Sequence, residues 1–448
     1  MAWLSLYEIA EMVQGATSGA DIPIEGISID SRTTKPGDLF VAIKGERFNG
    51  HDFVETAAAS GATAVMVSEP ITSPLAQIRV PDTLQALSEL AAQWCRHLKI
   101  TILALTGSNG KTTTKEIIAS ILSRCRQVVA TPGNFNNHIG VPLTVLSMRA
   151  QHDAAVVEMG ANHHGEIRKL CSIAKPDIAL LLNASAAHIG GFGSLDGVAE
   201  AKGEIFESLS ESGTAILNKD DAYHDYWLQK IKKQRVVEFS LSTKADFYLL
   251  SHRGQTVKLS LAGEPRTCNM QLLGRHNISN ALAAAAASYA AGAGIDDIVA
   301  GIESVSPVPG RLVVCNGING SRLIDDSYNA NPASLEVALE VLKQTPGEHW
   351  LALGNMAELG DESADLHARA GKQAKSIDVH RLFAVGDDAR IAAENFGEEG
   401  ESFDSIAALV PQLKAQLKPG VSLLIKGSRS ARMDQLVAAL LPTDETVS

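Results

Sequence analysis

Leu103-Ala104-Leu105-Thr106-Gly107-Ser108-Asn109-Gly110-Lys111-Thr112-Thr113-Thr114-Lys115-Glu116 is the stretch whose reading decides the fold. The apolar run from Ile100 to Leu105 predicts a buried strand, and the residues from Thr112 on, with Ile117, Ile118, Ile121 and Leu122 on one stripe, predict an amphipathic helix. Strand, glycine turn and helix together form a phosphate cradle. Glycines let backbone N–H groups close on an oxyanion, and the helix N-terminus adds partial positive charge. Lys111 is placed to reach the β/γ-phosphates and the Thr112 hydroxyl to ligate Mg²⁺. The loop is a variant of the Walker pattern, because Leu105 stands where that pattern has its first glycine. A plain Gly-Asn turn between strand and helix is the alternative.

Working outward, 448 residues predict about three domains. A net charge of −12 without a basic run argues against a nucleic-acid partner, so any anionic ligand is met locally. The first residues lack a basic segment followed by an apolar one, so no secretory signal is read and a cytoplasmic protein is expected. The uncharged stretches 178–195 and 277–295 are rich in Ala, Gly, Ser, Asn or His, and no membrane insertion is expected. Cys95, Cys125, Cys171, Cys268 and Cys315 show no metal or disulfide spacing and are expected to be reduced core residues.

Residues 1–83 alternate short strands and helices, with a polar turn Asp30-Ser31-Arg32 able to hold a phosphate or a base edge. Residues 84–309 repeat strand and helix, with strands expected at 100–105, 154–159, 178–183 and 214–217. That pattern predicts a parallel sheet with ligands beyond the strands' carboxyl ends. Glu158 ends one of these strands and is a candidate Mg²⁺ ligand, with a solvated strand-end acid as the alternative. His188 follows Asn183 in a glycine-rich loop and is a further metal-side or phosphate-side candidate. Asn218-Lys219-Asp220-Asp221 resembles a guanine-reading motif, but the chain has no Asp-x-x-Gly to sense a γ-phosphate. Asn277 and Asn280 share a face at a helix start, suited to a base edge or to capping. Pro307-Val308-Pro309-Gly310-Arg311 marks a boundary. Beyond it, strands expected at 322–324, 350–353, 381–385 and 422–425 predict a Rossmann-like domain over residues 310–448. The fold class is therefore α/β in three domains: a small N-terminal α/β domain, a central P-loop mononucleotide-binding parallel-sheet domain and the C-terminal one.

These motifs, read in order, resemble the Mur ligases nearly end to end. The resemblance rests on Asp30-Ser31-Arg32, the 106–112 loop, Asn134-Phe135-Asn136-Asn137-His138-Ile139-Gly140-Val141-Pro142 and Glu158-Met159-Gly160. It continues through Asn183 with His188, Ala201-Lys202-Gly203-Glu204-Ile205, Gly274-Arg275-His276-Asn277, Pro309-Gly310-Arg311, Asp325-Asp326-Ser327-Tyr328-Asn329-Ala330-Asn331-Pro332 and Lys426-Gly427-Ser428-Arg429. Three of these loops, 134–142, 325–332 and 426–429, look like those of the member that adds a dipeptide. Asn355 departs from that member's usual aspartate.

The resemblance implies an ATP-dependent, ADP-forming ligase of peptidoglycan precursor synthesis, a monomer that joins D-alanyl-D-alanine to UDP-N-acetylmuramoyl-tripeptide through an acyl phosphate. It assigns the sugar-peptide to residues 1–83, ATP to 84–309 and the amine to 310–448. It implies that Gly107, Ser108, Asn109, Gly110, Lys111, Thr112 and Thr113 hold the ATP phosphates, Asn277 and Asn280 the adenine, and Arg311 and Asp326 phosphate and ribose. Thr112, Glu158, His188 and a carbamylated Lys202 would serve two Mg²⁺ ions, with Lys111, Glu158, His188 and Lys202 catalytic. Ser31, Arg32, Asn136, Asn137, Asn329, Asn331 and Ser428 would bind substrate. A sibling ligase, a folylpolyglutamate synthase and a P-loop nucleotide switch are the rival readings.

Overall fold

The computed structural model describes residues 3–185 and 189–442. His188 lies outside the described residues. Three larger sheets and one two-stranded ribbon (Leu4–Ser5 with Pro23–Ile24) organise the chain. The first sheet has five strands in the order Ala16–Ser18, Ala76–Arg79, Ala64–Val67, Asp38–Val41 and Gly26–Ser28. All neighbours are parallel except the Ala16–Ser18 pair. Every residue of Asp38–Val41 and Ala64–Val67 is buried, the apolar runs 39–41 and 64–67 being those of parallel strands covered on both faces.

The second sheet has nine strands. Its parallel part runs Val128–Ala130, Ala154–Glu158, Thr101–Thr106, Ile178–Leu181, Thr214–Asn218, Arg235–Ser240, Phe247–Arg253. Thr256–Leu261 and Glu264–Asn269 then extend it antiparallel, so the sheet is mixed where the sequence pattern predicts a parallel one. The cause is local. Two-residue loops, Gly254-Gln255 and Ala262-Gly263, reverse the chain, with positive φ at Gly254 (58°), Ala262 (50°) and Gly263 (89°).

The third sheet has six strands in the order Val313–Asn316, Arg322–Asp326, Val421–Lys426, Glu348–Gly354, Arg381–Val385, Gly400–Phe403, all parallel except the first. All four strands expected in this region are present, and the two edge strands are additional.

One hydrophobic core runs from Leu6 to Trp227, joining the first sheet, the helix Thr83–His97 and one face of the central sheet. Asp82 caps that helix through Leu84 N–H (2.8 Å) and Gln85 N–H (2.9 Å), and Leu87, Leu90 and Ala91 fix it between the two sheets. Two other cores, around Ile324 and Leu423, belong to the third sheet alone apart from the marginal contact of Leu273. Cys95, Cys171 and Cys268 are buried thiols, but Cys125 is exposed and Cys315 half-buried, which corrects the expectation for those two.

Candidate active site

The carboxyl ends of the central and third sheets face each other across a cleft of about 1130 Å³. Thr106 delivers the glycine turn into it. A Cβ on Gly107 would meet Leu182 Cβ at 2.8 Å, and one on Gly110 (φ +84°) would meet Asn280 Oδ1 at 2.4 Å, so no larger residue fits either position as packed. Lys111 opens the helix Lys111–Leu122, with its Nζ donating to Gly107 O (2.8 Å) and Ser108 O (3.2 Å). Burial lowers its pKa, Glu158 opposes that, and Arg311 adds to it.

Glu158 is buried at the end of its strand. Its Oε1 accepts from Asn136 Nδ2 (2.7 Å) and Thr112 Oγ1 (3.4 Å). Oε2 is buried without a hydrogen-bond partner. This excludes the solvated strand-end alternative. An orphaned carboxylate oxygen beside a threonine hydroxyl on the phosphate loop has the chemistry of a hard-cation site completed by ligand oxygens.

Asn109 is bonded at every polar atom. Its N–H donates to Asn183 Oδ1 (3.0 Å), its carbonyl accepts from Asn183 Nδ2 (3.1 Å), and its Nδ2 donates to Ser185 Oγ (2.9 Å). Its Oδ1 accepts from Asn331 Nδ2 across the cleft (3.0 Å).

Lys202 lies on the helix Leu195–Gly203 and is buried, its Nζ 5.9 Å from the Phe192 ring centroid, so it is no solvated helix-face lysine. Burial, with Lys111 nearby, pushes its ammonium pKa well down. The helix is clamped by Trp227 Nε1 donating to Ala199 O (2.9 Å). Just beyond it, the buried Glu204 carboxylate accepts from Gly165 N–H (2.7 Å) and Arg168 N–H (3.0 Å).

The opposite wall comes from the third sheet. Arg311 stacks 4.3 Å over Tyr328 and donates to Thr112 Oγ1 (3.0 Å). Asp326 is ion-paired with the buried Lys426, which also donates to Asn329 O (2.9 Å). Burial raises the Asp326 pKa, opposed by Lys426 and Arg311. Ser428 donates its N–H to Asn355 O (2.9 Å), and its hydroxyl lies 3.1 Å from that of Ser430.

Several expected ligand groups have structural jobs. Asn280 Nδ2 donates to Asn277 Oδ1 (2.9 Å) and Asn277 Nδ2 to Leu273 O (2.7 Å), so both amide groups are engaged as donors although both residues line the cleft. Asn137 caps the helix Gly140–Ser147 through Ile139 N–H (3.1 Å) and Gly140 N–H (2.9 Å). Asn218 Nδ2 donates to Leu182 O (2.9 Å) and Asp221 accepts from Ala184 N–H (3.0 Å), bracing the loop that a guanine-reading motif would leave open. Asn355 Oδ1 accepts from Ala389 N–H (2.8 Å) at the start of the helix Asp387–Phe396. Ser31 and Arg32 do not line the cleft, and Arg32 is paired with Asp30 through two bonds (2.9 and 2.7 Å), which holds that carboxyl at about 2.

Four groups went unassigned from sequence: Lys426, Glu204, His276 and Lys115. Lys115 is buried, with Nζ donating to Thr131 O (2.8 Å) and Gly133 O (3.1 Å), which fixes the loop that carries Asn136. A lysine on the buried face of the predicted helix was the available signal.

A strand–glycine turn–helix cradle, with a carboxylate beside it and a second α/β sheet closing over it, defines a P-loop nucleotide-using enzyme with a two-sided site. The chain belongs to the Mur ligase family. Family models match as the Mur ligase family catalytic domain (residues 23–94), the middle domain (105–288) and the glutamate ligase domain (310–429). The UDP-N-acetylmuramoyl-tripeptide–D-alanyl-D-alanine ligase of Escherichia coli (strain K12) is 42% identical, covering 98% of this chain and 99% of that one. The enzyme of the same name from Bacillus subtilis (strain 168) is 34% identical over 97% of each. Among solved structures, MurF from Acinetobacter baumannii superposes with a TM-score of 0.91 at 34% identity, covering 98% of both chains. MurF ligase from Thermotoga maritima in complex with ADP gives 0.81 at 28% identity, over 93% of this chain and 96% of that one.

Proposed function

We propose that this chain joins D-alanyl-D-alanine to the terminal carboxylate of UDP-N-acetylmuramoyl-tripeptide, forming ADP and phosphate, as a step of peptidoglycan precursor synthesis in the cytoplasm. The observation that carries the reading is the single cleft in which the phosphate loop, Glu158 and the 426–430 loop converge, in a chain similar end to end to ligases of that name. Both walls come from one chain, which supports a monomer as the working unit. Residues 1–83 are assigned to the UDP-sugar-peptide, 84–309 to ATP and 310–448 to the amine. No helix among the described residues is long and apolar enough to cross a membrane.

The chemistry follows from charge. A free carboxylate is a poor acylating agent and is repelled by the triphosphate it must attack. Lys111 on the phosphate loop and Arg311, which reaches Thr112 from the opposite wall, offset that repulsion. Phosphorylation gives an acyl phosphate, whose phosphate leaves when the dipeptide amine adds to the carbonyl. Thr112 and the free Glu158 oxygen fit Mg²⁺, which when bound supplies positive charge to the phosphate oxygens. Burial and the neighbouring Lys111 lower the Lys202 pKa and so favour its uncharged amine, the form that reacts with CO₂ to give a carbamate and a proton. A carbamate there would add anionic oxygen for a second Mg²⁺, together with His188. Asn136 orients Glu158, while Asn277, Asn280 and Asp326 border the nucleoside side. Asn329 and Ser428 border the amine side, and Ser31 and Arg32, outside the cleft, are assigned to the UDP end.

Phosphate release measured with single amino acids and dipeptides as acceptors tests the reading. Release that requires both the sugar-tripeptide and D-alanyl-D-alanine supports it, whereas release without an acceptor returns the chain to the nucleotide-switch class.

A further inference from the structure

The family resemblance assigns Asn331 to a substrate-binding region, but its side chain is occupied at both ends. Its Oδ1 accepts from Ser334 N–H (2.8 Å), capping the helix Pro332–Lys343, and its Nδ2 donates to Asn109 Oδ1 on the phosphate loop (3.0 Å). The orientation of both amides follows by necessity. A backbone N–H can only donate, so the Asn331 oxygen must face Ser334, its nitrogen must face Asn109, and Asn109 must present oxygen there and nitrogen to Ser185. Pro332 at the first helical position and the reciprocal bond from Asn331 N–H to Ser334 Oγ (3.0 Å) hold the cap rigid, so its free arm is a fixed pointer.

We infer that Asn331 is a positioning residue through which the docked third sheet sets the conformation of the phosphate loop. Asn109 is the receiver. Its other polar atoms are tied to Asn183 and Ser185, on the segment leading toward the Lys202 helix, so the Asn331 contact completes a continuous amide chain from one wall of the cleft to the other. Moving the C-terminal unit away about the 307–310 turn removes the partner of a part-buried carbonyl oxygen on the loop. The loop then has a reason to relax when the site is not assembled.

This rests on the ATP-binding reading above, and its test separates the two. Asn331→Ser keeps a good helix cap but is too short to reach Asn109, and Asn109→Ser removes the acceptor from the other side. Each variant and the double variant are compared for MgATP affinity by calorimetric titration, for kcat and KM in phosphate release, and for melting temperature. Each single variant is expected to lower kcat/KM for ATP about tenfold, the loss expected for one hydrogen bond. The double variant should be no worse than the poorer single one, with KM for the sugar-tripeptide and the melting temperature unchanged. Losses that multiply in the double variant, a wild-type Asn331→Ser, or an effect confined to KM for the dipeptide would each overturn the inference. Wild-type protein that binds MgATP but releases no phosphate would count against the ligase reading alone, because the affinity cycle still reports the coupling.

Discussion

On the central wall of the cleft the groups are placed by backbone: a glycine turn leaves one strand, Glu158 ends the next, and both are fixed by parallel pairing of Ala154–Glu158 with Thr101–Leu105. On the C-terminal wall they are placed by charge and side-chain bonds, with Lys426 neutralising Asp326, Arg311 lying on Tyr328 and Asn331 reaching over to Asn109. The first wall is rigid by construction and carries the phosphate chemistry. The second meets the first through polar bonds such as Asn331 to Asn109 and Arg311 to Thr112, which dock and undock at small net cost, as a site that must admit three substrates requires.

The sharpest way to break this contrast is Lys111→Ala. It removes the only lysine of the phosphate loop itself, and kcat should fall about 10³-fold or more while the melting temperature holds, as measured by phosphate release and thermal denaturation. Lys202→Ala should follow, with about a 10²-fold loss partly restored by a short-chain carboxylate in the buffer. A lysine without a role in the site would tolerate alanine, and absence of rescue in an inactive variant would separate packing from carbamate chemistry.

His276 tests the docked interface by pH. Burial, helped by Lys426, pushes its pKa down to about 4. The unfolded chain takes up this proton near pH 6.5 and the folded chain only near the lower value, so acidification between them favours unfolding. From pH 7 to pH 5 this group alone should remove about 2 kcal/mol of stability. Urea unfolding of His276→Gln at the two pH values should show a correspondingly smaller drop. The least effect is expected at Asn355. Aspartate caps as well as asparagine but would join Asp387 and Asp388 in the same turn, so Asn355→Asp should shift stability by no more than about 0.5 kcal/mol.

Legibility from sequence follows the same division. The phosphate loop, Glu158 and the strands before them are local patterns, and the runs at 100–105, 154–159 and 422–425 are legible as strands, the first of them as a buried one. The hairpin at Gly254 and Ala262-Gly263 was also written locally, in two glycine turns between short alternating segments, but the prevailing strand–helix rhythm obscured it. What the sequence withheld was pairing at a distance. Lys426 and Asp326 are 100 residues apart, Asn331 and Asn109 222 apart, and no periodicity links them. Asn277 and Asn280 are ambiguous in the sequence for a different reason, and Asn137 is assigned there to substrate by resemblance alone. Asparagine serves equally as ligand and as cap, and the structure assigns Asn137 and Asn331 to caps and the Asn277–Asn280 pair to each other.

The core that runs unbroken from Leu6 to Trp227 has a thermodynamic consequence. The first sheet and the central sheet share one set of buried contacts, so neither can lose its packing without exposing the other, and the two should melt as a single cooperative unit. Apart from Leu273 the third sheet keeps its apolar contacts to itself and meets the rest mainly through polar bonds, so it should melt as a second unit. Scanning calorimetry of the free protein should therefore resolve two transitions. A ligand touching both walls adds its binding energy to whichever unit would leave first and draws the two transitions together. In calorimetric terms, the enzyme is two bodies that substrate makes into one.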